Sequence, residues 1–163
     1  FKLSEKTSFQ TDLTLSSNKN KEIISKVNGE IYNYGKTNIS FSPNLIASNI
    51  FSYMPNEYTT LSLLSKYVGD QYMSNNDSKN SMLESYFIND LNFTYQIKTN
   101  KLFDSIIFSA LINNLFDIEY ISNGYYYTYD DTWSNPGEVV TLDGAGYYPQ
   151  ATRNFLIGVS MKF

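Results

Sequence analysis

The chain of 163 residues contains no cysteine and no histidine. Without cysteine there is no disulfide, thiolate nucleophile or thiolate metal ligand, and without histidine there is no imidazole base and no common zinc or haem ligand set. Charge is also sparse: 12 Lys plus Arg against 16 Asp plus Glu give a net charge of −4 and leave charged residues at 17%. So acidic a chain lacks the electrostatic footprint of a nucleic-acid binder, and no nucleic-acid partner is expected. No run approaches the roughly 18 to 20 apolar residues of a membrane-spanning helix. The nearest, Ile106 to Leu115, is broken by Ser109, Asn113 and Asn114. A helical span and most familiar enzyme mechanisms are thereby excluded, and neither catalysis, cofactor nor resident metal is expected. The start, Phe1-Lys2-Leu3, carries no basic stretch followed by an apolar signal core and reads as part of a longer polypeptide.

Apolar residues nevertheless make up 42% and aromatics 17%, with 15 Tyr and 11 Phe. They recur with period two, the mark of a strand with unlike faces. From Leu83 to Ile97, the odd positions Leu83, Ser85, Phe87, Asn89, Leu91, Phe93, Tyr95 and Ile97 make a mostly apolar face and the even ones, Glu84, Tyr86, Ile88, Asp90, Asn92, Thr94 and Gln96, a mostly polar one. Near the end, Phe155, Ile157, Val159, Met161 and Phe163 share one face, and Asn154, Leu156, Gly158, Ser160 and Lys162 the other. Phe9, Thr11, Leu13 and Leu15 alternate with Gln10, Asp12, Thr14 and Ser16, and a fourth run spans Tyr58 to Tyr72. Residues 38 to 53 and 105 to 127 are strand-like but less regular. The chain is all-β, with about six strands.

Several runs reach the roughly 9 to 11 residues that a tilted strand needs to cross a bilayer. Their connections alternate in length: a long polar loop at 18 to 37, a tight turn at Met54-Pro55-Asn56-Glu57, a longer loop at Ser74 to Ser81, a short turn at Lys98 to Asp104 and a very long loop from 128 to 149. Short turns on one side and long loops on the other are the construction of an antiparallel transmembrane β-barrel. A soluble β-sandwich binding module also alternates, and a complete small barrel of about eight strands with a structural or adhesion role is the other alternative.

The terminal stretch from Gly146 through Pro149, Arg153-Asn154-Phe155 and the alternating residues to Phe163 resembles the closing strand of TonB-dependent outer-membrane receptors. Asn113-Asn114-Leu115-Phe116-Asp117 with Tyr120 resembles that family's Asn-Leu-Phe element, and Lys66-Tyr67-Val68-Gly69-Asp70-Gln71-Tyr72 resembles its Tyr-Val-Gly-x-Gln-Tyr strand. The three occur in the family's order. Because the family's barrel has about 22 strands, the resemblance implies that residues 1–163 are its last quarter, without the plug domain. It further implies an outer-membrane receptor of a Gram-negative bacterium that imports a scarce nutrient of iron-siderophore, haem or cobalamin type. The implied partners are the lipid bilayer, the rest of the barrel and plug, the barrel-assembly machinery and the TonB system. Phe155, Ile157, Val159, Met161 and Phe163 then form a lipid face and an assembly signal.

From Leu102 to Thr152 there is no Lys or Arg but Asp104, Asp117, Glu119, Asp130, Asp131, Glu138 and Asp143. Tyr125, Tyr126, Tyr127, Tyr129, Trp133, Tyr147 and Tyr148 lie in this acidic segment and are the candidate ligand contacts of the last extracellular loop. Asp130, Asp131 and Asp143 lack the spacing of a calcium loop. Glu84 and Asp90 fall where a polar lumen carries carboxylates in any case, so they do not signal hydrolysis. Tyr53, Tyr58, Tyr67, Tyr72 and Tyr95 suit an aromatic girdle.

Overall fold

A computed structural model describes residues 1–99 and 104–163. The described residues form twelve strands: β1 (Thr7–Leu15), β2 (Lys19–Val27), β3 (Glu30–Asn38), β4 (Leu45–Asn56), β5 (Thr59–Val68), β6 (Gln71–Tyr72), β7 (Met82–Leu83), β8 (Tyr86–Lys98), β9 (Ser105–Asn113), β10 (Ile121–Asp131), β11 (Val140–Pro149) and β12 (Asn154–Lys162). A short 3-10 turn at Lys79–Ser81 is the one helical element among them, and no helix is long and apolar enough to cross a membrane.

Six strands make one antiparallel sheet in the order β1-β4-β5-β8-β9-β12. Its register converts the period-two pattern into rows that cross every strand. Phe9, Phe51, Leu63, Leu91, Ile112 and Phe155 are successive cross-strand partners, an unbroken apolar row. The next row on that face runs Tyr53, Leu61, Phe93, Ala110 and Ile157, and the one after it Thr59, Tyr95, Phe108 and Val159. The opposite face carries Ser8, Ser52, Ser62 and Asn92, then Thr60, Thr94 and Ser109, with the Ser52 and Ser62 hydroxyls 2.8 Å apart. One face thus carries apolar rows across the sheet, interrupted by Thr11, Asn49, Ser65 and Asn89, while the other mixes Ser, Thr and Asn with Ile50, Leu64, Leu111 and Leu156, a contrast in register that no local propensity imposes.

Neither face is covered by a second sheet. The accessible surface is 11211 Å², whereas a compact monomer of 18.7 kDa exposes about 8,300 Å². Ile157 is 86% exposed, Phe155 67% and Met161 53%. The buried apolar residues, Val68, Met73 and Leu83, gather beneath the long connections at one end. A sandwich would bury the apolar rows against a partner sheet, so that architecture is not adopted. The strands β1 and β12 lie at opposite edges, leaving a wall rather than a closed barrel.

The connections divide by side as expected. The strands β4 and β5 are joined by Glu57-Tyr58, where the Tyr58 N–H donates to Asn56 Oδ1 at 2.9 Å. The turn lies two residues beyond the expected one because β4 continues through Pro55, which sits in a register shift between Tyr53 and Asn56, a position where a ladder tolerates proline. Between β8 and β9 the Thr99 N–H donates to the Asp104 carbonyl at 3.2 Å; the rest of the turn expected at Lys98 to Asp104, residues 100–103, lies outside the described residues. Residues 16–44, 69–85 and 114–153 form the connections at the other end.

Two of the expected loops are hairpins. Residues 18 to 37 fold largely as β2 and β3 around Asn28 (φ 52°) and Gly29 (φ 80°), the Asn-Gly turn whose left-handed backbone matches strand twist. The stretch from 128 to 149 belongs to the paired β10 and β11, and β9 stops at Asn113 rather than running on to 127.

Candidate functional site

The chain leaves β9 through a tight corner. Asn114 is 4% exposed and has φ 52°, in the left-handed region that Asn tolerates better than most residues. Its Oδ1 accepts from the Ile118 N–H at 2.9 Å, and its Nδ2 donates to the Ile118 carbonyl at 2.8 Å and the Ala151 carbonyl at 3.4 Å. Asp117 accepts from the Arg153 N–H at 2.7 Å and forms an ion pair with its guanidinium at 3.5 Å. The Asn114 N–H itself donates to Asp90 Oδ1 at 2.7 Å. The Asn-Leu-Phe element and the Arg153 element, far apart in sequence, thus build one joint that aims the following hairpin.

That hairpin closes through Asn135-Pro136-Gly137-Glu138. The Glu138 N–H donates to the Asn135 carbonyl at 3.1 Å and Gly137 has φ 92°, the residue pattern of a type II turn. Asp131 accepts from the Trp133 and Ser134 N–H groups at 3.0 and 3.1 Å. Hydrogen bonding by Ser134, then by these N–H groups, holds its carboxyl below the usual carboxylate range.

The two faces of the hairpin have different fates. Tyr126 and Tyr147 fall on the face turned toward the other long connections. Asn80 Nδ2 donates to Asp143 Oδ2 at 2.9 Å, and the Tyr147 hydroxyl to the Asn80 carbonyl at 3.3 Å. The Asn28 N–H donates to Thr141 Oγ1 at 2.7 Å, and Asn28 Oδ1 accepts from the Thr141 N–H at 2.9 Å. The Asn80 side chain, then the Tyr126 hydroxyl, lowers the Asp143 carboxyl, while burial raises the Tyr126 phenol. Thr141 Oγ1 also donates to Asp130 Oδ1 at 2.7 Å. Asp130, Asp131 and Asp143 are each engaged in this way, and among the described residues no group of acidic side chains is gathered as a metal site.

The other face carries the remaining five candidates as one continuous strip. Ring centroids lie 6.3 Å apart from Trp133 to Tyr129, from Tyr129 to Tyr127 and from Tyr127 to Tyr125, then 6.1 Å from Tyr125 to Tyr148. The first three pairs are near parallel, at 12°, 26° and 20°. Glycine makes this possible: Tyr127 pairs with Gly144 and Tyr125 with Gly146. A Cβ at Gly144 would sit 2.6 Å from the Tyr127 ring, and one at Gly146 would collide with that of Tyr125. The rings therefore lean across the bare backbone of β11 and lie low against the hairpin.

Beside its base, a cleft of about 960 Å³ is lined by Leu83, Glu84, Tyr86, Ile118, Tyr120 and Tyr147 among others; the Tyr86 and Tyr120 rings are 4.5 Å apart. The strip and this cleft both offer a ligand aromatic contact at the long-connection end, as does the exposed Tyr32 ring 4.7 Å from Tyr34 on β3. The residues expected to face lipid are elsewhere: Phe155, Ile157, Val159 and Met161 lie on the apolar face of β12, and Phe163 follows that strand.

No family model matches the chain and no curated protein matches it. Among solved structures, its fold is similar to that of the ferric yersiniabactin uptake receptor FyuA from Yersinia pestis, with a TM-score of 0.56 and 16% identity. The similarity covers 98% of this chain and 21% of the receptor, so the chain spans about a fifth of that protein's length. At such identity the likeness shows the fold, a partial antiparallel β-barrel. The similar protein is an uptake receptor rather than an enzyme.

Proposed function

We propose that residues 1–163 form part of the β-barrel wall, its C-terminal segment, of a TonB-dependent outer-membrane receptor that imports a scarce nutrient of the iron-siderophore, haem or cobalamin class. The observation that carries this reading is the uncovered apolar face, with the row Phe9, Phe51, Leu63, Leu91, Ile112 and Phe155 crossing six strands. Such a face is stable in hydrocarbon and not in water. The sidedness of the connections supports the same orientation, with the long ones outside the cell. The likeness to an uptake receptor supports the role, and the order of the three sequence elements supports the family.

In this reading the wall contributes no catalysis. The face of β12 formed by Phe155, Ile157, Val159 and Met161, with Phe163 after it, contacts lipid and is offered to the barrel-assembly machinery. The strands β1 and β12 pair with the rest of the barrel, because an open edge in hydrocarbon leaves backbone groups unsatisfied. The plug and the segment that meets TonB belong to parts of the polypeptide beyond this chain. The test is the mass and heat-modifiability of the native polypeptide in an outer-membrane fraction, detected through a peptide of β12. A heat-modifiable species several times 18.7 kDa is expected; a soluble species, or one near that mass, contradicts the proposal.

A further inference from the structure

We propose that a polar row set into the apolar face of the sheet is a contact between two copies of this wall, lying side by side in the membrane. The inference rests on the reading of that face as lipid-facing, and it adds a partner of stated chemistry.

The row follows from the register. Thr11, Asn49, Ser65 and Asn89 are successive cross-strand partners on β1, β4, β5 and β8. Apolar rows flank it on both sides. Phe9, Phe51, Leu63 and Leu91 lie toward the short turns, and Leu13, Ala47, Tyr67 and Phe87 toward the long connections, with Leu15 and Leu45 beyond them. Two residues at about 3.4 Å each, on a strand tilted by about 35–45°, put the row about 5 Å along the membrane normal from the level of Leu91. It therefore lies inside the apolar band and not at its rim. Polar side chains at such depth are costly in lipid and characteristically meet other polar groups.

Within one chain the row is not self-sufficient. Ser65 Oγ donates to Asn89 Oδ1 at 2.6 Å, which uses its only proton and leaves lone pairs that need a donor. Asn89 is 4% exposed, and its Nδ2 has no partner among the described residues. The half-buried Asn49 side chain carries two donors and an acceptor and makes no hydrogen bond among the described residues.

Three features name the occupant. The row carries no charge, so nothing in it calls for an ion or a charged headgroup. A barrel wall spends its backbone groups in its own ladders, so a wall that meets the row must answer with side chains. Two copies inserted in the same sense hold the row at the same depth by symmetry, whereas an unrelated protein would need a matching row at that height. A two-fold axis along the membrane normal, passing between β4 and β5, sets Asn49 of each copy against Ser65 of the other. Asn49 Nδ2 then donates to the Ser65 Oγ that lacks a donor. Ala47, Asn49 and Ser65 are also short beside Phe51, Leu63 and Tyr67, and short side chains let two membrane-embedded surfaces approach closely.

The experiment uses the native polypeptide in outer membranes, with heat-modifiability reporting whether it is a folded barrel. Single cysteines introduced by Ala47→Cys, Leu63→Cys, Asn92→Cys or Phe155→Cys leave the row intact. Each is treated with a short, membrane-permeant bismaleimide, and the unsubstituted polypeptide is the blank. A cross-linked species of twice the native mass is expected from Ala47→Cys and Leu63→Cys, beside the proposed axis. None is expected from Asn92→Cys on the other face or from Phe155→Cys at the far edge of the apolar face. Asn49→Leu, added to Ala47→Cys, should slow the cross-linking at least tenfold, and Asn92→Leu should leave it unchanged. Heat-modifiable protein that gives no doubled species, that cross-links as readily from Phe155→Cys, or that joins a protein of another mass overturns the paired walls and leaves the barrel reading standing. Cross-linking that Asn49→Leu does not slow does the same. A preparation that is not heat-modifiable overturns both.

Discussion

Leu91→Arg puts a charge at the centre of the apolar face. Leu91 sits on β8 between its cross-strand partners Leu63 and Ile112. Phe87, partnered by Tyr67, and Tyr95, partnered by Phe108, stand four residues away on either side of it. At about 3.4 Å per residue those aromatic positions are about 27 Å apart along the strand. A tilt of 35–45° reduces this to about 20 Å along the membrane normal, within the roughly 25 Å apolar band of an outer-membrane barrel. In the proposed barrel Leu91 therefore lies near the midplane, where Arg costs about 2–4 kcal/mol. That is a fall of about 30- to 700-fold in the folded-to-unfolded ratio. The neighbouring Asn92 faces the other way, between Ser62 and Leu111, and Asn92→Arg should change stability by about 0.5 kcal/mol or less. Guanidinium unfolding of the native polypeptide in lipid vesicles compares the two. Equal effects, or a larger one at Asn92, would refute the assignment of faces.

Asn114→Ala removes three side-chain hydrogen bonds from a residue 4% exposed and forces Ala into a left-handed backbone; a loss of about 2–4 kcal/mol is expected from the denaturation midpoint at unchanged slope. Gly146→Val drives a side chain into the Tyr125 ring, so the near-ultraviolet circular dichroism of the stacked tyrosines should fall while the far-ultraviolet strand signal stays. An intact near-ultraviolet band would mean that the rings do not lean on the glycines. The Asp131 carboxyl is held below its ordinary value, so it stabilises the hairpin tip above an unfolded pKa of about 4 and ceases to do so as pH falls through the lower folded value. Emission from the adjacent Trp133 should therefore change reversibly below the ordinary carboxylate range, and Asp131→Asn should abolish that change.

The wall was legible from sequence because a sheet with unlike faces imposes period two over long stretches. The residues assigned to the apolar face of β8 from Phe87 to Ile97, and those of β12 up to Met161, share one face of one sheet. The hairpins were not separated from loops, although their turns are written in Asn28-Gly29 and in Asn135-Pro136-Gly137. Period two alone does not distinguish a wall strand from a loop strand. Tyr125, Tyr127 and Tyr129 alternate as regularly as Leu91, Phe93 and Tyr95, and what differs is what the opposite face meets. The same alternation separates Tyr126 and Tyr147 from the five strip residues, a distinction lost when all seven are counted together. The corner at Asn114 depends on partners at Ala151 and Arg153 that no local pattern connects.

The apolar face in contact with lipid is the central claim, and the absence of native cysteine from the chain makes it directly measurable. Single cysteines at Leu91, Phe93 and Tyr95, and at Asn92, Thr94 and Gln96, would be tested in intact membranes with a water-soluble maleimide and with a lipid-phase quencher of an attached fluorophore. Quenching by lipid at the first three and maleimide labelling at the second three is the predicted alternation. Uniform aqueous labelling along β8, or the opposite alternation, would contradict it.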